Sequence, residues 1–362
     1  MFFLRFLFGE YTTDVKISSE FQEIETYIGD FSNSIVIADK NTAAIAEKIY
    51  NKYNLPQCIL ESGEEYKNWV SVEKILSRAH NAKLGRDGKF IAFGGGVIGD
   101  LSGFAASIYK RGCRFFLVST TLLGMVDASV GGKTGFDFLE IKNLAGTFYP
   151  AEKVYIPLDT LSTLPQIEWK SGMAELIKTA VLCEDDILFN LILENIEGLK
   201  EYKNTDKELL LELVEKAVSF KGGIVSEDPK ETGTKRVLLN LGHTFGHALE
   251  SACGLGNISH GEAVAWGMVR SCELGIALGI TPKERANKII SLIKAFDYNC
   301  ACPHPMAKES SILFNAMKND KKNKNNALKF IVPDAKGARS VNIESEKDIN
   351  TIITILRGDI KL

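Results

Sequence analysis

Short apolar, β-branched runs alternate with amphipathic stretches through the first half of the chain, and that rhythm predicts a parallel sheet. SIVIAD (34–39) is a strand-like run ending in an acid, followed by the helical NTAAIAEKIYNKY. QCILES comes next, then a helical stretch from Tyr66 to Ala82, then the strand KFIAFGGG, and RFFLVST (114–120) is a further strand. Strands separated by helices of about 10 to 15 residues are the signature of βαβ units. The opening MFFLRFLF reads as a first strand rather than a signal peptide: it is short, Arg5 interrupts it, and no small-residue cleavage site follows. From Pro165 onward the pattern changes to long helical segments at 172–183, 206–221, 240–253 and 260–279, with few strand candidates. The expected fold is an α/β domain over 1–165, then a mainly α-helical domain over 166–362, with the boundary near TLSTLP.

Composition narrows the function classes. A length of 362 residues suffices for two domains with well-formed cores. With 45% hydrophobic and 25% charged residues and a net charge of −3, nothing asks for nucleic acid or an anionic surface as partner. No apolar run approaches the roughly 18 residues of a membrane span. The seven cysteines are scattered without a CxxC, which reads as reduced thiols of a cytosolic protein.

The stretch RVLLNLGHTFGHALESACGLGNISHGE (236–262) holds three of the five histidines. His243 and His247 stand four apart, so a helix places them on one face about 6 Å apart along its axis. His260 follows a bend at Gly254 and Gly256 and opens a second helix, so a chain reversal would return it to the first pair. Glu250 and Glu262 are near in sequence, and imidazole with carboxylate suits zinc with a position left for substrate. Spacing alone leaves open which histidines ligate. In GMAELIKTAVL (172–182), Glu175 and Lys178 share a helical face. They form either an exposed ion pair worth a few tenths of a kcal/mol, or Glu175 supplies the carboxylate of the metal site.

Earlier in the chain, FGGGVIGD (93–100) places Gly94, Gly96 and Gly99 in a GxGxxG pattern after a strand and before the helical DLSGFAAS. Glycines there let backbone N–H groups approach a pyrophosphate at the positive end of the helix. The acid about 20 residues further on that would hold a ribose is missing. Asp39, ending an earlier strand, can serve instead, and the departure argues against a standard dehydrogenase. Asp127, Lys133, Lys142 and Asn143 lie in glycine-rich, mostly loop sequence where they can converge on an anion. GGKT (131–134) fails as a Walker motif because Asp127 stands where a glycine is required.

GGGVIGD, MVDASVGGKTG, KNLAGTF, GMAELIK, LNLGHTFGHALE, HGEAV and MKNDKKN, in that order, closely resemble the 3-dehydroquinate synthases of the sugar-phosphate cyclase superfamily, from about residue 34 to about 335. The resemblance implies a Rossmann-like NAD-binding domain followed by a metal- and substrate-binding one, in a cytoplasmic homodimer. It implies a lyase of the shikimate pathway, on the route to chorismate and the aromatic amino acids. Such enzymes convert 3-deoxy-D-arabino-heptulosonate 7-phosphate to 3-dehydroquinate and phosphate by transient oxidation with NAD, phosphate elimination, reduction, ring opening and aldol closure. The implied cofactors are NAD and a divalent metal, zinc or else cobalt.

By motif, the resemblance makes Glu175, His243 and His260 the metal ligands and leaves His247 to touch substrate. It places NAD on Gly94, Gly95, Gly96, Val97 and Asp100, with Asp39 on the ribose, Glu64 and Lys67 near it, and Thr120 and Thr121 on the far side. Asp127, Lys133 and Lys142 are shared between cofactor and substrate. Lys133, Lys178, Arg236, Asn240 and His247 are implied as catalytic, and Asn143, Lys221 and Lys321, or Lys322 in its place, as substrate-binding. Arg111 is implied to reach across a dimer interface to the substrate phosphate. The alternatives are a sister cyclase acting on sedoheptulose 7-phosphate or glucose 6-phosphate, or a metal-dependent alcohol dehydrogenase of the glycerol dehydrogenase type. The first has no carboxylate to bind, and Arg236 and Asn240 favour the keto acid; the lysine-rich pocket speaks against the second. His304 and the C-terminal tail receive no role.

Overall fold

Seven strands make the main sheet: β1 (Phe2–Phe8), β2 (Tyr11–Ser18), β3 (Ser34–Asp39), β4 (Gln57–Leu60), β5 (Lys89–Gly94), β6 (Arg114–Ser119) and β9 (Lys153–Pro157). Between β6 and β9 the chain forms a separate antiparallel hairpin, β7 (Lys133–Phe138) and β8 (Ile141–Phe148). The sheet order is β1-β2-β9-β6-β5-β3-β4, antiparallel at β1–β2 and parallel elsewhere. Every residue of β5 is buried, as a central parallel strand requires, and this explains its unbroken apolar run. Val36, Ala38, Ile91, Phe93, Phe116 and Val118 form one core with Phe21, Ile24 and Ile49.

The structure is a computed structural model that describes residues 1–139, 141–254, 256–318 and 328–358. The chain divides into two compact units, residues 1–165 with 205–230, and residues 166–204 with 231–362. The Lys207–Glu227 helix thus belongs with the sheet, where it packs on β1 and β2. Its N-cap Asp206 accepts hydrogen bonds from the N–H groups of Glu208 and Leu209 at 3.0 and 2.8 Å.

The second unit is built on the helices Gln166–Leu182, His243–Cys253 and His260–Ala277. The last of these is buried at every position from Ala263 to Gly275, and a helix buried on every face belongs at the centre of a bundle. Phe245, Leu249, Trp266, Leu274 and Ile352 form the core with Phe330 and Val332. Those two residues sit on β10 (Leu328–Asp334), which pairs antiparallel with β11 (Gly337–Ile343), a hairpin that the helical periodicity of this half concealed. His304 caps the Pro305–Lys308 turn, its Nδ1 accepting from Met306 N–H at 3.2 Å. Among the described residues, no two cysteines are joined in a disulfide. Among the described residues, no helix is long and apolar enough to cross a membrane.

Candidate functional site

Three helices of the second unit meet where glycines let backbones touch. A Cβ on Gly261 would lie 2.4 Å from Ser171 Cα, on Gly267 2.0 Å from the Gly242 carbonyl oxygen, and on Gly246 2.9 Å from that of Ala263. Gly242, at φ +79, also turns the chain into the His243–Cys253 helix. These contacts bring Glu175, His243 and His260 together, with one ligand atom from each all within 4.8 Å of one another. Gly261→Ala meets backbone rather than flexible side chain. It is expected to destabilise the fold by about 1–3 kcal/mol and to weaken metal binding by displacing His260, which thermal unfolding and a metal titration would read.

Glu175 is fully buried. Its Oε1 lies 3.4 Å from His260 Nε2 and 3.7 Å from His243 Nε2, while Oε2 pairs with the ammonium of Lys178, which is 2% exposed. Donors about 2.0–2.1 Å from a tetrahedral metal are separated from each other by roughly 3.3–3.4 Å, so the carboxylate and both imidazoles already stand near ligand spacing. The Nδ1 of His243 faces the Leu241 carbonyl at 3.1 Å, and that of His260 faces Glu250 Oε1 at 3.5 Å. Burial works against a charged His260 ring, but Glu175 and Glu250 outweigh it and the ring is pushed up to about 10. The two carboxylates therefore favour positive charge at the place a dication would fill. Glu262, the other nearby acid, instead belongs to the helix start, where Ser259 Oγ accepts from its N–H at 3.2 Å and donates to its carboxylate.

His247 shares the helical face with His243, their ring centroids 5.1 Å apart. It stands outside the group of three ligand donors. Asn240 ends the Arg236–Asn240 turn that leads to His243. Its Nδ2 donates at 3.0 Å to both Glu231 Oε1 and the Val237 carbonyl, and Arg236 is buried.

In the first unit, the strand-to-helix turn begins earlier than the sequence suggested. Gly96 already starts the helix Gly96–Ile108, and Gly95 precedes it without any side-chain cap. The first-turn N–H groups of that helix are thus offered by bare backbone, the arrangement that receives a phosphate. A pocket there is bordered by Gly95, Gly96, Asp100, Gly124 and Lys133. Thr120 N–H bonds the Gly94 carbonyl and Thr121 Oγ1 accepts from Gly124 N–H, which ties the end of β6 to the glycine turn. Asp39 Oδ1 accepts from both the N–H and hydroxyl of Thr42 at 2.9 Å.

Lys133, Lys142 and Asn143, expected on loop, lie on β7 and β8. The hairpin is clasped by Lys67, whose buried ammonium reaches Asp100 Oδ2 and Asn143 Oδ1, both at 2.6 Å. Asp137 completes the clasp, taking the Asn143 N–H and donating its own to the Lys67 carbonyl, both at 2.7 Å. Glu64 lies in the turn just before Lys67. Lys221 bonds Asp127 through both carbonyl and carboxylate at 2.7 Å. Arg111 is exposed on a turn where it and Lys110 both adopt positive φ. Lys321 and Lys322 lie outside the described residues.

The chain matches the 3-dehydroquinate synthase N-terminal family over residues 57–171 and its C-terminal family over residues 172–323. It belongs to the 3-dehydroquinate synthase family. A 3-dehydroquinate synthase of Colwellia psychrerythraea is 41% identical over 296 residues, 82% of each chain. Another, from Nitratiruptor sp., is 38% identical over 334 residues, 90% of each chain. A solved 2-deoxy-scyllo-inosose synthase, complexed with carbaglucose-6-phosphate, NAD+ and Co2+, matches with a TM-score of 0.83 at 25% identity over 99% of each chain.

The motif-level resemblance to the 3-dehydroquinate synthases is therefore correct, as is the order of an α/β part before a helical one. One expectation about this family member's site is corrected: the Glu175–Lys178 pair, when read as an ion pair, is buried rather than exposed, because the helix carrying it runs through the core. Glu231, the Leu241 carbonyl and Asp137 were not singled out by sequence reasoning. Each acts by a bond to a residue that was, and nothing in their own spacing marks them.

Proposed function

We propose that this chain converts 3-deoxy-D-arabino-heptulosonate 7-phosphate to 3-dehydroquinate and phosphate, as a phosphate-eliminating lyase working in the cytoplasm as a homodimer. The observation that carries the reading is the convergence of Glu175, His243 and His260 in a member of the 3-dehydroquinate synthase family. Those three residues would hold zinc, or cobalt in its place, since one carboxylate and two imidazoles make a zinc-type set with room for substrate oxygen. NAD would lie along Gly94 to Val97 and Asp100, on the uncapped helix start, with Asp39, Glu64, Lys67, Thr120 and Thr121 around it. When bound, NAD takes and returns a hydride at C5, and the metal serves as Lewis acid to the neighbouring hydroxyls.

The chain's own residues bind, orient and balance charge. Arg236 presents a planar fork to the substrate carboxylate, and Asn240, whose Nδ2 donates to Glu231 and the Val237 carbonyl, would turn an N–H from one of these to the substrate. By the family's motifs Lys133, Lys142, Asn143, Lys221 and Lys321 would meet the substrate, and Arg111, on its exposed turn, would reach the phosphate of a second copy. Cations there stabilise the departing phosphate and let one of its oxygens accept the C6 proton. Asp127 anchors Lys221, while Lys178 and His247 meet the hydroxyls beside the metal ligands.

Gly95→Val tests the nucleotide half, because a Cβ there would stand 2.8 Å from Thr121 Oγ1. An NAD titration is expected to show binding at least about tenfold weaker, a loss of 1.4 kcal/mol, with metal binding unchanged. The whole reading is tested by phosphate release from the seven-carbon keto acid phosphate, with and without chelator, while NADH absorbance is followed. Metal-dependent release with catalytic NAD and no accumulating NADH is expected. Release only from sedoheptulose 7-phosphate would move the chain to a sister cyclase, and stoichiometric NADH would make it a dehydrogenase.

A further inference from the structure

His243 and His260 turn the same atom, Nε2, toward Glu175. Each therefore presents Nδ1 to something else. For His243 this is the Leu241 carbonyl at 3.1 Å, which any residue at 241 would supply. For His260 it is a side chain, Oε1 of Glu250, at 3.5 Å. Glu250 is buried, 7% exposed, on the same helix as His243 and seven residues further on. Two helical turns return it to the His243 face, opposite the first residue of the His260–Ala277 helix.

We propose that Glu250 is a positioning residue of the metal centre, which holds the His260 ring by its Nδ1–H so that the Nε2 lone pair points at the ion. The inference rests on the reading of Glu175, His243 and His260 as ligands. A neutral imidazole carries one N–H, and whichever nitrogen donates it leaves the other as the ligand atom. His260 opens its helix, with 30% of its side chain exposed and its ring centroid 5.5 Å from that of His243. A carboxylate on Nδ1 also makes Nε2 the stronger donor. With Glu250 each ligand has a neighbour that orients it: Lys178 at Glu175, the Leu241 carbonyl at His243, and Glu250 at His260.

The test is zinc and cobalt affinity of the full chain, by competition with a chromophoric chelator, together with the visible spectrum of the cobalt-loaded protein. Glu250→Gln keeps an acceptor oxygen and is expected to bind about tenfold more weakly, and Glu250→Ala up to about a hundredfold, each with an altered cobalt spectrum. In a His260→Ala background, adding Glu250→Ala should change affinity by less than about twofold, since no ring remains to be held. Unchanged affinity and spectrum in Glu250→Ala, or in Glu250→Gln if the alanine variant does not fold, would overturn the inference. A full further loss in the His260→Ala background would overturn it as well, by showing a structural role alone. Wild-type protein that binds neither metal would instead remove the metal-site reading on which the inference stands.

Discussion

Glu175→Gln is expected to lose zinc binding and to lower phosphate release by about a thousandfold or more. A Lewis acid contributes several kcal/mol to such a step, and each 1.4 kcal/mol is a factor of ten in rate. The substitution has a second effect that separates structure from chemistry. Lys178 is 2% exposed and bonds Glu175 Oε2, so the variant strips a buried ammonium of the carboxylate beside it. Breaking a buried pair from one side costs about 3–5 kcal/mol, whereas replacing both partners by groups of similar size is often neutral. Glu175→Gln should therefore unfold at a lower temperature without metal present, and Glu175→Gln with Lys178→Met should regain that stability while remaining unable to bind metal. Retained zinc affinity in Glu175→Gln would remove Glu175 from the ligand set. Equal unfolding temperatures for the single and double variants would show that the pair is not the buried unit described.

Lys67→Met is expected to be the most destabilising single change in the first unit. The ammonium is buried and joins Asp100 on the helix that follows the glycine turn to Asn143 on β8. Its removal leaves Asp100 facing Glu64 and Asp137 without the cation between them, at a cost of about 3–5 kcal/mol near neutral pH, or roughly 10 °C in unfolding temperature. The pH dependence follows from the Asp100 carboxyl. Burial raises it above its ordinary value, Lys67 pulls it down, and Glu64 and Asp137 push it up again. With the folded value above the unfolded one, the native state holds more protons across the window between them, and stability falls as pH rises through that window. Taking away Lys67 extends the window upward, so the cost should shrink as the solution is acidified. Thermal unfolding of both proteins over a pH series reads this directly, and a gap that widens on acidification would contradict it.

The parts legible in the sequence were those set by neighbours along the chain. His243 and His247 share a face because a helix repeats every 3.6 residues, and no tertiary contact is needed to say so. The glycines at 94 to 96 announce a strand-to-helix turn because apolar run and helical pattern flank them directly. The family motifs were equally readable, being contiguous strings of residues.

Tertiary structure decided how distant residues meet and how dry they are when they do. Glu175 and Lys178 have the spacing of an ordinary surface pair worth tenths of a kcal/mol; only burial of their helix turns it into several. Lys67 and Asn143 are 76 residues apart, and no local pattern links them. The Lys207–Glu227 helix reads like its helical neighbours, yet it packs on β1 and β2. Spacing alone had no ground for separating Glu175, Glu250 and Glu262; the motif resemblance named Glu175, and the structure sets Glu175 against both imidazoles, Glu250 against His260 Nδ1 and Glu262 at a helix start. That separation comes from the close crossing of backbones at Gly242, Gly246, Gly261 and Gly267, which sets the distances between side chains on different helices. Periodicity governs directions within one element, but distances between elements are set by packing.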